Sequence, residues 1–156
     1  MIKIKVDLLK NHPYVIPGIA NIWYEVLGKF WMPEIGIEEI ESLYYEEIQH
    51  DMPLTYIAIY DQIPVGSCTL ELNGGIRRDL GPWLGDLVVD PKYQKQGIGK
   101  MLVDVAFQKA KALGFEKLYL LAFDPAVPKY YERLGWKKIG MDEFKSRPVT
   151  VMEVRL

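Results

Sequence analysis

Val88-Val89-Asp90-Pro91-Lys92-Tyr93-Gln94-Lys95-Gln96-Gly97-Ile98-Gly99-Lys100 is the stretch that decides how this 156-residue chain folds. An apolar strand runs into a polar loop with two glycines, and a helix opens at once. From Gly97 the apolar positions Ile98, Met101, Leu102, Val105 and Ala106 share one helical face, with Gly114 placed to end it. A strand over 117–123 follows directly, so the unit is strand–helix–strand, expected to be parallel with a right-handed crossover. Such a junction suits an anion. The first amides of a helix lack an intrahelical partner, and together with the positive end of the helix dipole they favour a phosphate. Gly97 and Gly99 put no side chain in the way, and Lys92, Lys95 and Lys100 add local positive charge. Taken alone, the pattern is equally that of a tight turn beside a solvated lysine face. The third glycine of a dinucleotide site is missing, and so is the Gly-Lys-Ser/Thr of a nucleoside triphosphate loop.

Outward from this segment, Met1 to Asp7 alternates at period two and reads as a strand rather than a signal peptide. Pro13 to Gly28 carries Ile16, Ile19, Ala20, Trp23, Val26 and Leu27 near helical spacing, predicting a helix that ends near Gly28. A second helix is expected over 37–49, with Glu38, Glu39 and Glu41 at the end where the dipole favours acids. Leu54 to Tyr60 and Val65 to Leu72 read as a hairpin turning at Asp61-Gln62-Ile63-Pro64. After the polar connection 73–79 come a strand over 83–89, then, beyond the central unit, a short helix over 126–134, a turn at Gly135 and strands over 136–140 and 149–156. The expectation is one domain, 1–156, of mixed α/β class.

Composition bounds the function. The apolar fraction of 49% and charged fraction of 26% are those of an ordinary globular protein. A formal net charge of -2 lacks the broad basic footprint of phosphate-backbone binding, so no nucleic-acid partner is expected. No apolar run reaches the roughly eighteen residues of a membrane span. The single cysteine, Cys68, lies in an alternating strand and reads as a buried hydrophobe; the compartment is read as cytoplasmic.

Two segments together carry a resemblance. Gln94-Lys95-Gln96-Gly97-Ile98-Gly99 resembles the Gln/Arg-x-x-Gly-x-Gly/Ala motif of the GNAT N-acetyltransferases, and Tyr130-Tyr131-Glu132-Arg133-Leu134-Gly135-Trp136 resembles their Phe/Tyr-Tyr-Glu-x-x-Gly-Phe segment. The spacing between them also fits, and the likeness extends over roughly Leu54 to Leu156. It implies a mixed, mostly antiparallel sheet with a V-shaped splay, flanked by helices, and transfer of an acetyl group from acetyl-coenzyme A to a primary amine by direct attack in a ternary complex. No metal is implied. The competing reading is a non-catalytic acyl-coenzyme A sensor using the same cradle.

By the same resemblance, amides from Gln94, Lys95, Gln96, Gly97, Ile98, Gly99 and Lys100 hold the pyrophosphate, and Leu87, Val88 and Val89 offer a strand edge to the pantetheine arm. Tyr131 matches the tyrosine that protonates the departing thiolate; a packed aromatic is its other reading. Asp86, a carboxylate in an apolar strand, needs a partner or a task, and is either the general base or a paired structural acid. Asp124 stands where many members have Asn near the pantetheine. His12 and His50 read as surface or capping residues outside any metal-ligand spacing, while His50-Asp51 and Arg77, Arg78 and Asp79 flank the expected acceptor side. The acceptor is a small-molecule or peptide amine, with no membrane partner and a homodimer as one option.

Overall fold

Lys5–Leu8 forms β1, set antiparallel against β2 (Leu54–Tyr60) with Lys5 opposite Ile59 and Leu8 opposite Tyr56. The computed structural model describes residues 3–156, so Met1 and Ile2 of the expected first strand lie outside the described residues. Two short 3-10 turns lead into α1 (Ile16–Trp23), then a single π-helical turn, Tyr24–Gly28, and α2 (Lys29–Trp31). The helix therefore does not end at Gly28. Gly28 has an ordinary helical φ of -60°, and a Cβ there would come within 2.3 Å of the Trp23 ring. Its lack of a side chain seats the indole rather than stopping the helix. α3 (Ile37–Glu47) opens with Glu38 and Glu39 in its first turn, as the dipole favours.

β2 turns into β3 (Ile63–Glu71) through Asp61 and Gln62, both left-handed at φ 49° and 68°. Two positive-φ residues match the strand twist of a two-residue hairpin, so Ile63 and Pro64, expected in the turn, belong to the strand. β4 (Trp83–Val89), α4 (Ile98–Ala112) and β5 (Lys117–Ala122) follow; Gly114, at φ 92°, closes α4 in the left-handed conformation that glycine adopts without steric cost. α5 (Val127–Arg133), β6 (Lys137–Phe144) and β7 (Arg147–Arg155) complete the chain. β6 runs past the expected stop at Gly140, where a register shift between Lys138 and Gly140 marks a bulge instead of an end.

The sheet order is β1-β2-β3-β4-β5-β7-β6. β4 and β5 are parallel, and β1–β2, β5–β7 and β6–β7 antiparallel, which makes the sheet mixed as expected. The chain divides into two compact units, one comprising the chain up to Thr69 with Asp86–Ala106, the other Leu70–Gly85 with Phe107–Leu156.

In the first unit, β3 is covered on both faces, and its alternation assigns the neighbours. Cys68 donates from Sγ to the Leu102 carbonyl of α4 at 3.5 Å, and Gly66 leaves room for Leu102 and the β4 backbone. Ser67 and Thr69 point the other way, Ser67 towards Tyr44 of α3 and Thr69 onto Thr55 at 2.9 Å. In the second unit, Trp83 pairs with Tyr119 and packs with Val151, bordered by Ile76, Leu80, Leu121 and Ile139. Among the described residues no helix is long and apolar enough to cross a membrane.

Candidate active site

The loop from β4 to α4 is built by its own polar groups. Asp90 Oδ1 accepts from the Lys92 amide at 2.9 Å, the Asp90 amide donates to the Val65 carbonyl at 2.8 Å, and Pro91–Tyr93 makes a 3-10 turn. Gln94 then extends, its side-chain amide donating to the Val89 carbonyl at 2.9 Å. Lys95 and Gly97 take left-handed φ of 64° and 83°, turning the chain sharply into α4. The Met101 amide reaches the Gly97 carbonyl at 3.1 Å, so the amides of Ile98, Gly99 and Lys100 form the opening turn, which has no intrahelical acceptor. A Cβ at Gly97 would meet nothing within 4 Å. The loop has the open, donor-rich form that a pyrophosphate requires. Lys100 is also joined to Asp104 at 2.8 Å, so its ammonium is shared with a neighbouring carboxylate.

Upstream of the loop, Leu87 and Val89 are half-buried while Val88 is buried, the alternation of a strand with one face more covered than the other. Asp86 lies inside the strand at a left-handed φ of 52°, and its Oδ1 accepts from the Trp23 indole N–H at 3.0 Å. Burial raises the Asp86 pKa, opposed by that hydrogen bond. Trp23 is held in turn by Gly28. The sequence thus hides a chain of dependence, from a glycine in a π-turn through an indole to a carboxylate 63 positions away.

Glu47, which no local pattern in the sequence singles out, belongs to the same unit. Burial first, and the Asp86 charge second, push its carboxyl up to about 7, opposed by a hydrogen bond from Thr55 at 3.2 Å. Thr55 also shares a 2.9 Å hydrogen bond with Thr69. Tyr44, one helical turn before Glu47, is buried, and desolvation followed by the charges of Asp86 and Glu47 raises its hydroxyl pKa. A period-3.6 reading of α3 puts Tyr44 and Glu47 on one face, yet an isolated helical Glu looks like any solvated acid until its tertiary neighbours are known.

In the second unit, Tyr131 is buried and stacks edge-on against Trp136, with ring centroids 5.5 Å apart. Its carbonyl accepts from the amides of Leu134 and Trp136 at 2.9 and 3.0 Å, fixing the Gly135 turn. Asp124 turns its carboxylate to the Ala126 amide at 2.9 Å, holding the approach to α5.

The sequence model of the Acetyltransferase (GNAT) family matches residues 20–136. The chain belongs to this family. Solved structures agree in fold: an aminoglycoside 6'-N-acetyltransferase complexed with coenzyme A superimposes with a TM-score of 0.76 at 20% identity, covering 97% of this chain and 96% of the other. PaiA N-acetyltransferase from Thermoplasma acidophilum in complex with coenzyme A gives 0.75 at 21%, covering 99% and 100%. A chimeric spermidine N-acetyltransferase SpeG from Vibrio cholerae and hSSAT gives 0.73 at 21%, covering 97% and 95%. A comparison with curated proteins gave no significant match.

Within this GNAT chain several readings from sequence become specific. Cys68 is fully buried, and burial pushes its thiol far above the ordinary range, which leaves no thiolate to act as a nucleophile near neutral pH. His12 bonds Asp7 at 2.9 Å and His50 bonds Glu46 at 3.0 Å; among the described residues no group of His, Cys, Asp and Glu is arranged to hold a metal. Arg77, at φ 44°, is pinned by Asp142 at 3.0 Å and by the Met141 carbonyl at 3.3 Å, so its side chain ties the 73–81 connection to β6. Trp83 and Leu84 are both buried, and the Trp83 indole N–H donates to the Leu80 carbonyl at 2.9 Å.

Proposed function

We propose that this GNAT protein transfers the acetyl group of acetyl-coenzyme A to a primary amine within a ternary complex. The observation that carries the reading is the opening of α4, where Gly97 turns at φ 83° beside clear space, in the segment that matches the family's pyrophosphate motif. Amides of Gln94 to Lys100 hold the diphosphate, and the edge of Leu87, Val88 and Val89 takes the pantetheine arm through main-chain hydrogen bonds. Asp124 lies at the family's Asn position; with its carboxylate engaged by Ala126, its contribution is to shape the approach to α5.

The amine must be neutral to attack. Asp86 takes its proton, and the nitrogen lone pair then forms the C–N bond at the thioester carbonyl carbon, with a β4 amide stabilising the oxyanion. As the C–S bond breaks, its electron pair leaves on sulfur, which takes a proton from Tyr131, and the acylated nitrogen gives up its extra proton to restore that tyrosine. A free thiol has a pKa of about 8.5 and a tyrosine about 10, close enough for the Tyr131 hydroxyl to supply the proton. The support for Tyr131 is its match to the family segment together with its burial beside Trp136.

We place the enzyme in the cytoplasm as a single catalytic domain. Its acceptor class follows no further than a primary amine, because this scaffold hosts many acceptors. The direct test is thiol release from acetyl-coenzyme A against an aminoglycoside, spermidine and a peptide with a free N-terminus. Release with at least one amine is expected. Coenzyme A binding with no release from any of them would leave a sensor as the better reading.

A further inference from the structure

β6 stands last in the sheet order, so one of its edges pairs with β7 and the other faces outward. The register fixes which main-chain groups lie on that outer edge. In an antiparallel ladder, doubly bonded pairs alternate with pairs whose N–H and C=O groups turn away from the partner. Pro148 has no N–H, so Glu143↔Pro148 is a pair of the second kind, and Phe144↔Arg147 and Asp142↔Val149 are the bonded ones. The tight turn at Lys145-Ser146, with φ of 50° and 68°, closes on a bonded pair and agrees. Met141, opposite Thr150, therefore turns its N–H and C=O to the open side, as Glu143 does. Such a row of donors and acceptors is a template for another strand. Here it is partly covered. Arg77 Nη2 donates to the Met141 carbonyl at 3.3 Å, and the Glu143 N–H donates to Asp142 Oδ1 at 2.7 Å. Arg77 Nε, 3.0 Å from Asp142 Oδ2, joins the two caps. Arg77 is also fixed from behind: it holds a left-handed φ of 44°, which a residue with a side chain keeps only where its surroundings impose it, and its carbonyl accepts from the Leu80 N–H at 2.9 Å. A Cβ on Gly75 would come within 2.7 Å of the Phe144 ring, and one on Gly140 within 3.3 Å of Arg77 Nη2, so the 73–81 connection follows β6 from its last residue to the bulge.

We propose that the outer edge of β6 is a pairing surface for the β6 of a second copy of this chain, and that Arg77 and Asp142 hold it shut. Charge and symmetry choose the occupant. Lys137 and Lys138 stand at one end of the strand and Asp142 and Glu143 near the other, so two copies running antiparallel set the basic end of each beside the acidic end of its partner. That arrangement is self-complementary about a two-fold axis. In the shut form the guanidinium covers the Met141 carbonyl and at the same time offsets the Asp142 charge that the second copy's lysines would meet. The Glu143 amide first, and Arg77 next, hold the Asp142 carboxyl below the ordinary carboxylate range, so the latch is ionised throughout the neutral range.

The test is sedimentation velocity of wild type, Arg77→Ala and Arg77→Gly from low to high micromolar concentration, with hydrogen exchange at the Met141 amide as the site-specific readout. Arg77→Gly suits the left-handed φ, so it folds without the strain that alanine keeps. The variants should show an association step that the wild type lacks, about doubling the sedimenting mass, while the Met141 amide exchanges more slowly as concentration rises. Adding Glu143→Pro to Arg77→Gly removes an edge N–H that β7 does not use, and should restore wild-type sedimentation. Wild-type mass in Arg77→Gly at every concentration overturns the proposal, as does an added association that leaves Met141 exchange unchanged or survives Glu143→Pro. Concentration-dependent protection of Met141 in the wild type overturns it too, since the edge would already be open. None of these readouts depends on acetyl transfer, so the result stands apart from the function proposed above.

Discussion

At the scale of the residue, the acids of the first unit are informative because they are kept against their electrostatic interest. Glu47 has its folded pKa raised from 4.5 to about 7, so the protonated form is the one the fold favours. That contribution to stability is fully present below pH 4.5 and is lost as pH rises through 7. Glu47→Gln should accordingly match wild type at pH 4.5 and exceed it at pH 8, by on the order of 1–2 kcal/mol once partial exposure is allowed for. Urea unfolding at the two pH values measures this, and a wild type that gained on the variant at alkaline pH would contradict the sign. Tyr131 yields a different expectation. Tyr131→Phe keeps the ring against Trp136 and removes the proton donor, so thiol release should slow by about 10²–10⁴-fold while coenzyme A affinity is retained. A variant as fast as wild type would return Tyr131 to a packing role.

At the scale of the element, two glycines separate shape from chemistry. Gly28→Ala drives a methyl into the Trp23 ring, at an approach of 2.3 Å before any relaxation, and overpacking of this kind costs about 1–3 kcal/mol. Because the ring carries the hydrogen bond to Asp86, activity should fall along with thermal stability. Gly97→Glu acts by another route. Nothing crowds the position, but its φ of 83° strains any other residue and the new charge repels a phosphate. Calorimetric titration should show coenzyme A binding reduced to the limit of detection; undiminished affinity would remove the pyrophosphate from α4. The elements themselves were largely legible. β4 and α4 follow directly from the apolar periods and Gly114, whereas the continuation of the first helix through Gly28 was not, because a glycine that admits an indole and one that ends a helix look alike in a sequence.

At the scale of the whole molecule, ligand binding and folding are linked. Coenzyme A at a hundredfold its dissociation constant should stabilise the protein by about 2.7 kcal/mol, a rise in melting temperature of roughly 5–11 °C for a chain of this size. Differential scanning fluorimetry reads that directly, and an unchanged melting point at saturating ligand would sink the cofactor assignment. The loop, the tyrosine segment and the mixed sheet were all present in the sequence because each depends on local period, turn chemistry or a contiguous motif. Asp86 could be singled out as a misplaced charge, but its partner could not, since Trp23 comes to it only through the packing of α1 on the sheet. Glu47 was silent for the same reason. Whether a carboxylate is ordinary or perturbed depends on desolvation and on neighbours brought from other strands and helices, and those are quantities that exist only after the chain has folded.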